Sequence, residues 1–189
     1  MRNNGSCGKF DLMTLRYDLI ALAAAILLCS VTGLAQEPAS NNKDLLTSVR
    51  PAPGLYSATA DAGKEIHEAL TQAGSAQKRV LLVFGADWCY DCHVLDHGLH
   101  EGEAGKIVSE NFVLVHIDIG EGEKNPELVK EYKIPLDKGV PAVAVLDADG
   151  KLLYSSGEGE FEAARRMLKQ DLVIFLKRWR PLSSPPRSR

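Results

Sequence analysis

Two cysteines stand two residues apart in FGADWCYDCHVLDHGLH, residues 84–100, and three histidines follow close behind. At such spacing these residue types support three kinds of chemistry. Cysteine and histidine together hold metal ions, and a Cys–Cys bond can staple a fold. A Cys-X-X-Cys pair can also exchange electrons, because one thiolate attacks a foreign disulfide and its neighbour releases the product. A lone pair of cysteines makes only half of a zinc site, which needs a second ligand pair at suitable spacing.

The rest of the chain narrows the choice. From Leu19 to Leu34 (LIALAAAILLCSVTGL) no residue is charged, Arg16 lies upstream, and Gly33 and Ala35 precede a cut before Gln36. A short apolar core with a small-residue exit predicts a secretory signal peptide over residues 1–35. At 16 residues it falls short of the roughly 20 that a bilayer span needs, so an uncleaved membrane anchor is the lesser reading. Translation from Met13 would shorten the long leader. The product is then periplasmic or secreted, or anchored facing the periplasm. Cys7 and Cys29 lie in this leader, so cleavage leaves only Cys89 and Cys92. A bridge between them closes almost no loop, which makes it a poor stabiliser and a better reversible couple.

Composition sets outer bounds. The 189 residues are 45% hydrophobic and 25% charged, ordinary for one globular domain with extensions. A net charge of −3 and the absence of a long basic run argue against a nucleic-acid partner.

Residues 36–57 (QEPASNNKDLLTSVRPAPGLYS) are polar and contain proline, which predicts a flexible linker. Thr59 or Asp61 caps a helix running through Ala73, with Ile66, Ala69 and Leu70 on one face. Val80–Phe84 (VLLVF) is a short unbroken apolar run and predicts a strand buried on both faces. A helix starts at or just after Cys89, where unpaired N–H groups and the positive end of the helix dipole favour a thiolate. Phe112–Ile119 (FVLVHIDI) is a second strand, completing a right-handed βαβ unit. Pro126–Tyr132 is a short helix with proline in its first turn. Ala142–Leu146, the turn DADG and Lys151–Ser155 form a hairpin. Phe161–Trp179 reads as one amphipathic helix, with Ala164, Met167, Leu168, Leu172, Phe175 and Leu176 inward. The domain spans 58–180, and the Pro-, Ser- and Arg-rich tail 181–189 is disordered.

The strand VLLVF, then ADWCYDC, then FVLVHIDI, then Val140-Pro141 before a hairpin resembles the thioredoxin superfamily, in particular its exported bacterial thiol-disulfide oxidoreductases. The likeness covers roughly Thr59 to Trp179. It implies an α/β thioredoxin fold: a mixed central sheet, from a βαβ unit plus a C-terminal hairpin and helix, flanked by helices. It further implies that Cys89 is the nucleophile and Cys92 resolves. Trp88 shapes the rim, and Val140 and a cis Pro141 face the disulfide and present substrate. No organic cofactor and no metal are implied, since the disulfide itself is the redox group. The partners are protein thiols and disulfides, with an upstream thiol donor.

Departures from the family bear on subtype. Thioredoxin proper carries a buried acid six residues before its first cysteine, where this chain has Val83. Asp96 resembles an acid of the periplasmic reductase domains and is a candidate substitute, with a solvated helix position as the plainer reading. Tyr90 and Asp91 stand where thioredoxin has Gly-Pro. From Ala86 to Ala104 there are five acids (Asp87, Asp91, Asp96, Glu101, Glu103) and no Lys or Arg. Negative charge disfavours a thiolate, so Asp91 and Asp96 would tune the cysteines toward a reductant, with His93 partly offsetting them. His93, His97 and His100 share a helical stripe that could, with the cysteines, bind Cu(I). Copper handling is therefore the alternative function, and a binding module without turnover the third. His116 reads as an ordinary strand residue.

Overall fold

The computed structural model describes residues 49–182. The signal-peptide or anchor segment 1–35, most of the 36–57 stretch and nearly all of the 181–189 tail lie outside the described residues. Among the described residues no helix is long and apolar enough to cross a membrane.

The first helix, α1 (Ala62–Ala76), begins because the Asp61 carboxylate accepts a hydrogen bond from the Lys64 amide at 3.0 Å. It ends where Gln77 turns left-handed and the Lys78 amide closes onto the Ala73 carbonyl. Strand β1 (Arg79–Gly85) follows, then α2 (Tyr90–His100), α3 (Gly102–Asn111), β2 (Phe112–Asp118), α4 (Pro126–Glu131) and the hairpin β3 (Ala142–Leu146) and β4 (Leu152–Ser155). The last helix is α5 (Lys169–Trp179). The sheet order is β2-β1-β3-β4, with β1 parallel to β2 and antiparallel to β3. This is the mixed sheet of the thioredoxin fold.

The unbroken apolar run of β1 is explained by burial on both faces. Leu81 and Val83 point into a core made with Leu95, Leu99, Ile107, Leu172 and Leu176 of α2, α3 and α5. Val80, Leu82 and Phe84 point the other way, against Ile66, Ala69, Ile117 and Leu128. All five strand residues from Val80 to Phe84 are fully buried. Each such side chain contributes roughly 1.5–3 kcal/mol. The central strand is thus the least movable element, and the cysteine helix springs from its end.

Two expectations need correction, and one helix, α3, has no counterpart among them. The helix read over Phe161–Trp179 is broken: a 3-10 turn at Ala164–Arg166 and extended Met167 and Leu168 precede α5. The Arg165 amide binds the Asp91 carboxylate at 2.9 Å instead of a helical carbonyl, which pulls this segment toward the cysteine motif. The glycine-rich stretch after His100 supports a helix of its own, α3. A Cβ at Gly105 would lie 2.5 Å from the His100 carbonyl oxygen, so glycine lets α3 pack tightly against the end of α2. Finally, the stretch read as a linker is folded at its end, where Tyr56 is 3% exposed.

Candidate active site

Cys89 and Cys92 are joined in a disulfide with their Cα atoms 5.3 Å apart. Cys89 is the N-cap of α2, and its sulfur accepts the Cys92 amide at 3.1 Å. The attacking sulfur therefore occupies the place where an Asp or Ser oxygen usually sits, at the positive end of the helix. Across from it lies the Val140 carbonyl oxygen, 3.5 Å from Cys89 Sγ. A disulfide sulfur carries no proton, so this is a contact and not a hydrogen bond in the oxidised state. The Val140–Pro141 peptide is cis, as the resemblance implied.

The two sulfurs face different surroundings. Cys89 lines an open groove of about 670 Å³, bounded by Trp88, Ile119, Leu136 and Val140. Trp88 is 58% exposed, yet its indole N–H donates to the Gly120 carbonyl at 2.9 Å, which fixes the rim. Glu121, Asp137 and Glu162 also line this groove, and Arg165 is its one cation.

Cys92 is fully buried. Tyr56 forms a small apolar cluster with the two cysteines, held there because Asp87 accepts the Tyr56 amide at 2.8 Å and the Gly54 amide at 2.7 Å. Burial pushes the Asp87 carboxyl up, but these amides and the nearby His93 outweigh it and hold the group below the usual carboxylate range. A Cβ at Gly85 would lie 2.5 Å from Tyr56 Oη and 2.6 Å from Cys92 Sγ. Only glycine leaves room for both atoms at the end of β1.

Behind Tyr56 stands His116, its ring edge-on to the tyrosine with centroids 5.3 Å apart. Asp96 Oδ1 lies 3.1 Å from His116 Nε2 and 3.3 Å from His100 Nδ1. The His116 contact is an ion-pair distance without hydrogen-bond alignment, and neither atom has a hydrogen-bond partner; nor does Tyr56 Oη. Burial pushes the Asp96 carboxyl up, yet His116, His100 and His93 together hold it below the usual range. Asp96 is thus turned inward and partnered, not solvated, and His116 is no ordinary strand residue.

The charge reading changes in detail. Asp91 is buried and pairs with the Arg165 guanidinium at 2.7 Å, an arginine 74 residues away that also lies over the Tyr90 ring. Glu101 and Glu103 pair with His97 and Lys177. All five acids of the motif region therefore have partners, and the carboxylates left facing Cys89 come from elsewhere. The histidine stripe is also divided: His93 is buried and meets the Asp87 carbonyl at 2.8 Å, His97 meets Glu101, and His100 meets Asp96. Among the described residues no group of three or more His, Cys, Asp or Glu is placed to hold a metal ion.

Sequence reasoning missed Tyr56, Gly85, His116 and Arg165. Tyr56 is the one aromatic residue of an otherwise polar stretch, and His116 interrupts an apolar strand whose only other polar residue is Asp118 near its end; both were readable signals. Arg165 carries none, because its partner is distant in the chain.

Fold and site together define a thioredoxin-fold thiol–disulfide oxidoreductase. A thioredoxin-like family model matches residues 61–148. A disulphide isomerase from Xylella fastidiosa Temecula1 is 37% identical, with a TM-score of 0.62; the match covers 66% of this chain and 95% of that one. A Schizosaccharomyces pombe protein whose name includes the words protein disulfide-isomerase is 26% identical over 124 residues. That match covers 66% of this chain but only 24% of the yeast protein's length. The chain belongs to the thioredoxin-like family.

Proposed function

We propose that this protein is exported and reduces disulfides of other exported proteins through the Cys89–Cys92 pair. The observation that carries the reading is the placement of Cys89 Sγ: at the N-terminus of α2, on an open groove, opposite the Val140 carbonyl. In the dithiol form the Cys89 thiolate attacks a substrate sulfur, forming a mixed disulfide and releasing one substrate thiolate, which takes a proton. Cys92 then loses its proton and attacks Cys89 Sγ. That attack closes the internal disulfide and expels the second substrate thiolate. The substrate gains two electrons, the cysteine pair loses two, and an upstream thiol donor must restore them. Val140 and Pro141 present the substrate backbone, Trp88 supplies an apolar shelf, and Asp96 is the acid assigned to receive the Cys92 proton.

The reducing direction is supported by the groove. Glu121, Asp137 and Glu162 face it, while its one cation, Arg165, is already paired with Asp91. Such surroundings do not stabilise a thiolate, and a strong oxidant depends on a stabilised reduced form. The exported location is supported by the Leu19–Leu34 leader and the two-cysteine economy of the remainder; N-terminal sequencing of the protein from its native compartment should begin at Gln36.

The test is reduction of insulin disulfides. Cys89→Ser should abolish it, and Cys92→Ser should accumulate the mixed disulfide. An equilibrium with glutathione near the strong-oxidant potential of about −120 mV would overturn the direction.

A further inference from the structure

Tyr56 poses a problem that the oxidised structure leaves open. Its ring is 3% exposed, and its hydroxyl is buried without a hydrogen-bond partner. An orphaned buried hydroxyl is destabilising, and phenylalanine would fill the same space without it. The segment carrying Tyr56 is not placed there by chance, since both Asp87 carboxylate oxygens hold its backbone. The hydroxyl also lies close to one particular atom. A Cβ on Gly85 would meet both Tyr56 Oη and Cys92 Sγ, so the two are no farther apart than the sum of 2.5 and 2.6 Å. Cys92 Sγ itself is fully enclosed and receives no hydrogen bond among the described residues while it is tied to Cys89.

We infer that the Tyr56 hydroxyl is the hydrogen-bond donor to Cys92 Sγ in the dithiol form, a bond made when the disulfide opens and lost when it closes. The inference rests on the oxidoreductase reading and deepens it, by assigning the group that steadies the resolving sulfur. A divalent disulfide sulfur is a poor acceptor, whereas a thiolate is a strong one. When the internal disulfide takes up two electrons and two protons, the S–S bond is replaced by two S–H bonds; the Cys92 sulfur is freed from its partner to meet the phenol, and gains a third lone pair when its proton leaves. During turnover in the reducing direction, the same O–H steadies the Cys92 thiolate after its proton leaves and before it attacks Cys89 Sγ. No proton passes from Tyr56 itself: burial first, then the charges of Asp96, Asp87 and Asp118, raise its pKa and keep the phenol protonated. The groups facing it from the other elements are His116 on β2 and the two cysteines.

The measurement is the glutathione redox equilibrium of the full chain, wild type against Tyr56→Phe, read by alkylation of free thiols. Loss of one net hydrogen bond from the reduced form alone should shift the equilibrium toward the disulfide by about two- to tenfold. Thermal unfolding should show the matching asymmetry, with the reduced variant destabilised and the oxidised variant as stable as wild type or more so. In a Cys89→Ser background, Tyr56→Phe should also raise the pH at which the Cys92 thiolate appears by ultraviolet absorbance. An unchanged equilibrium, equal destabilisation of both redox forms, or an unmoved Cys92 titration would each overturn the inference. Insulin reduction by wild type separates the two levels. If wild type reduces insulin while Tyr56→Phe matches it against glutathione, the hydrogen bond falls and the function stands. If wild type does not reduce insulin, the function falls, and the glutathione equilibrium still decides the hydrogen bond.

Discussion

The two cysteines of one disulfide sit three residues apart and are both buried, Cys89 at 5% and Cys92 at 0% exposed, but only Cys89 lines the groove. On the Cys89 side lie a groove, an exposed indole, a backbone carbonyl and free carboxylates. On the Cys92 side lie a glycine with no room to spare, a buried tyrosine, and the Asp96–His116 pair. The difference shows how a symmetric bond acquires a direction. Either sulfur could be attacked as chemistry alone goes; the packing leaves only Cys89 within reach of a partner, and reserves Cys92 for the step that happens inside.

The most direct way to break this contrast is to compare single cysteines. Cys89 in the Cys92→Ser variant should react with iodoacetamide about a hundredfold faster than Cys92 in the Cys89→Ser variant, because the thiolate must be both formed and reachable. Equal rates would erase the distinction. Next in size is Gly85→Ala, which crowds the sealed side. With the added carbon 2.6 Å from Cys92 Sγ and 2.5 Å from Tyr56 Oη, urea denaturation should show a loss of about 1–3 kcal/mol. A neutral result would mean that the Cys92 side can yield to an added methyl group.

Smaller effects sharpen the open side. Arg165→Gln removes the guanidinium from buried Asp91 but keeps the backbone bond. The arginine side chain is half exposed and screened, so the expected loss is about 1 kcal/mol, read by the same denaturation. The smallest effect is in acid. Asp96 is held below its ordinary pKa of 3.8 in the folded state, so it binds protons less readily there than in the unfolded chain. Its contribution to stability is complete above that ordinary value and is lost as pH falls through the lowered one. Asp96→Asn should therefore flatten the acid limb of the stability curve; an unaltered limb would show that its histidine partners do not matter.

How much of this was readable beforehand differs between the same two sides. The strand VLLVF, the cap at Cys89 and the hairpin turn are local patterns, and each element formed within a residue or two of its expected bounds. The open side was legible for that reason: Trp88, Cys89, Val140 and Pro141 belong to short motifs. The sealed side was not, because it is assembled across the chain. Tyr56 reaches the motif through Asp87, 31 residues on, and His116 reaches Asp96 only because strand parity turns it toward α2. The broken helix before α5 has the same origin, as Arg165 answers Asp91 across 74 residues. Local propensity says nothing of such pairings.

One consequence follows from the bond between the Trp88 indole and the Gly120 carbonyl. A large aromatic surface left to solvent would ordinarily wander among rotamers, and a docking polypeptide would have to quiet it at a cost in entropy of about 0.5–1.5 kcal/mol. Here the ring is already anchored, so an arriving chain meets a preorganised face. The same anchoring makes it a natural spectroscopic probe. The chain has two tryptophans, and Trp179 is packed against Tyr154. A change in indole emission when a partner settles into the groove would therefore report on Trp88, in real time and without a label.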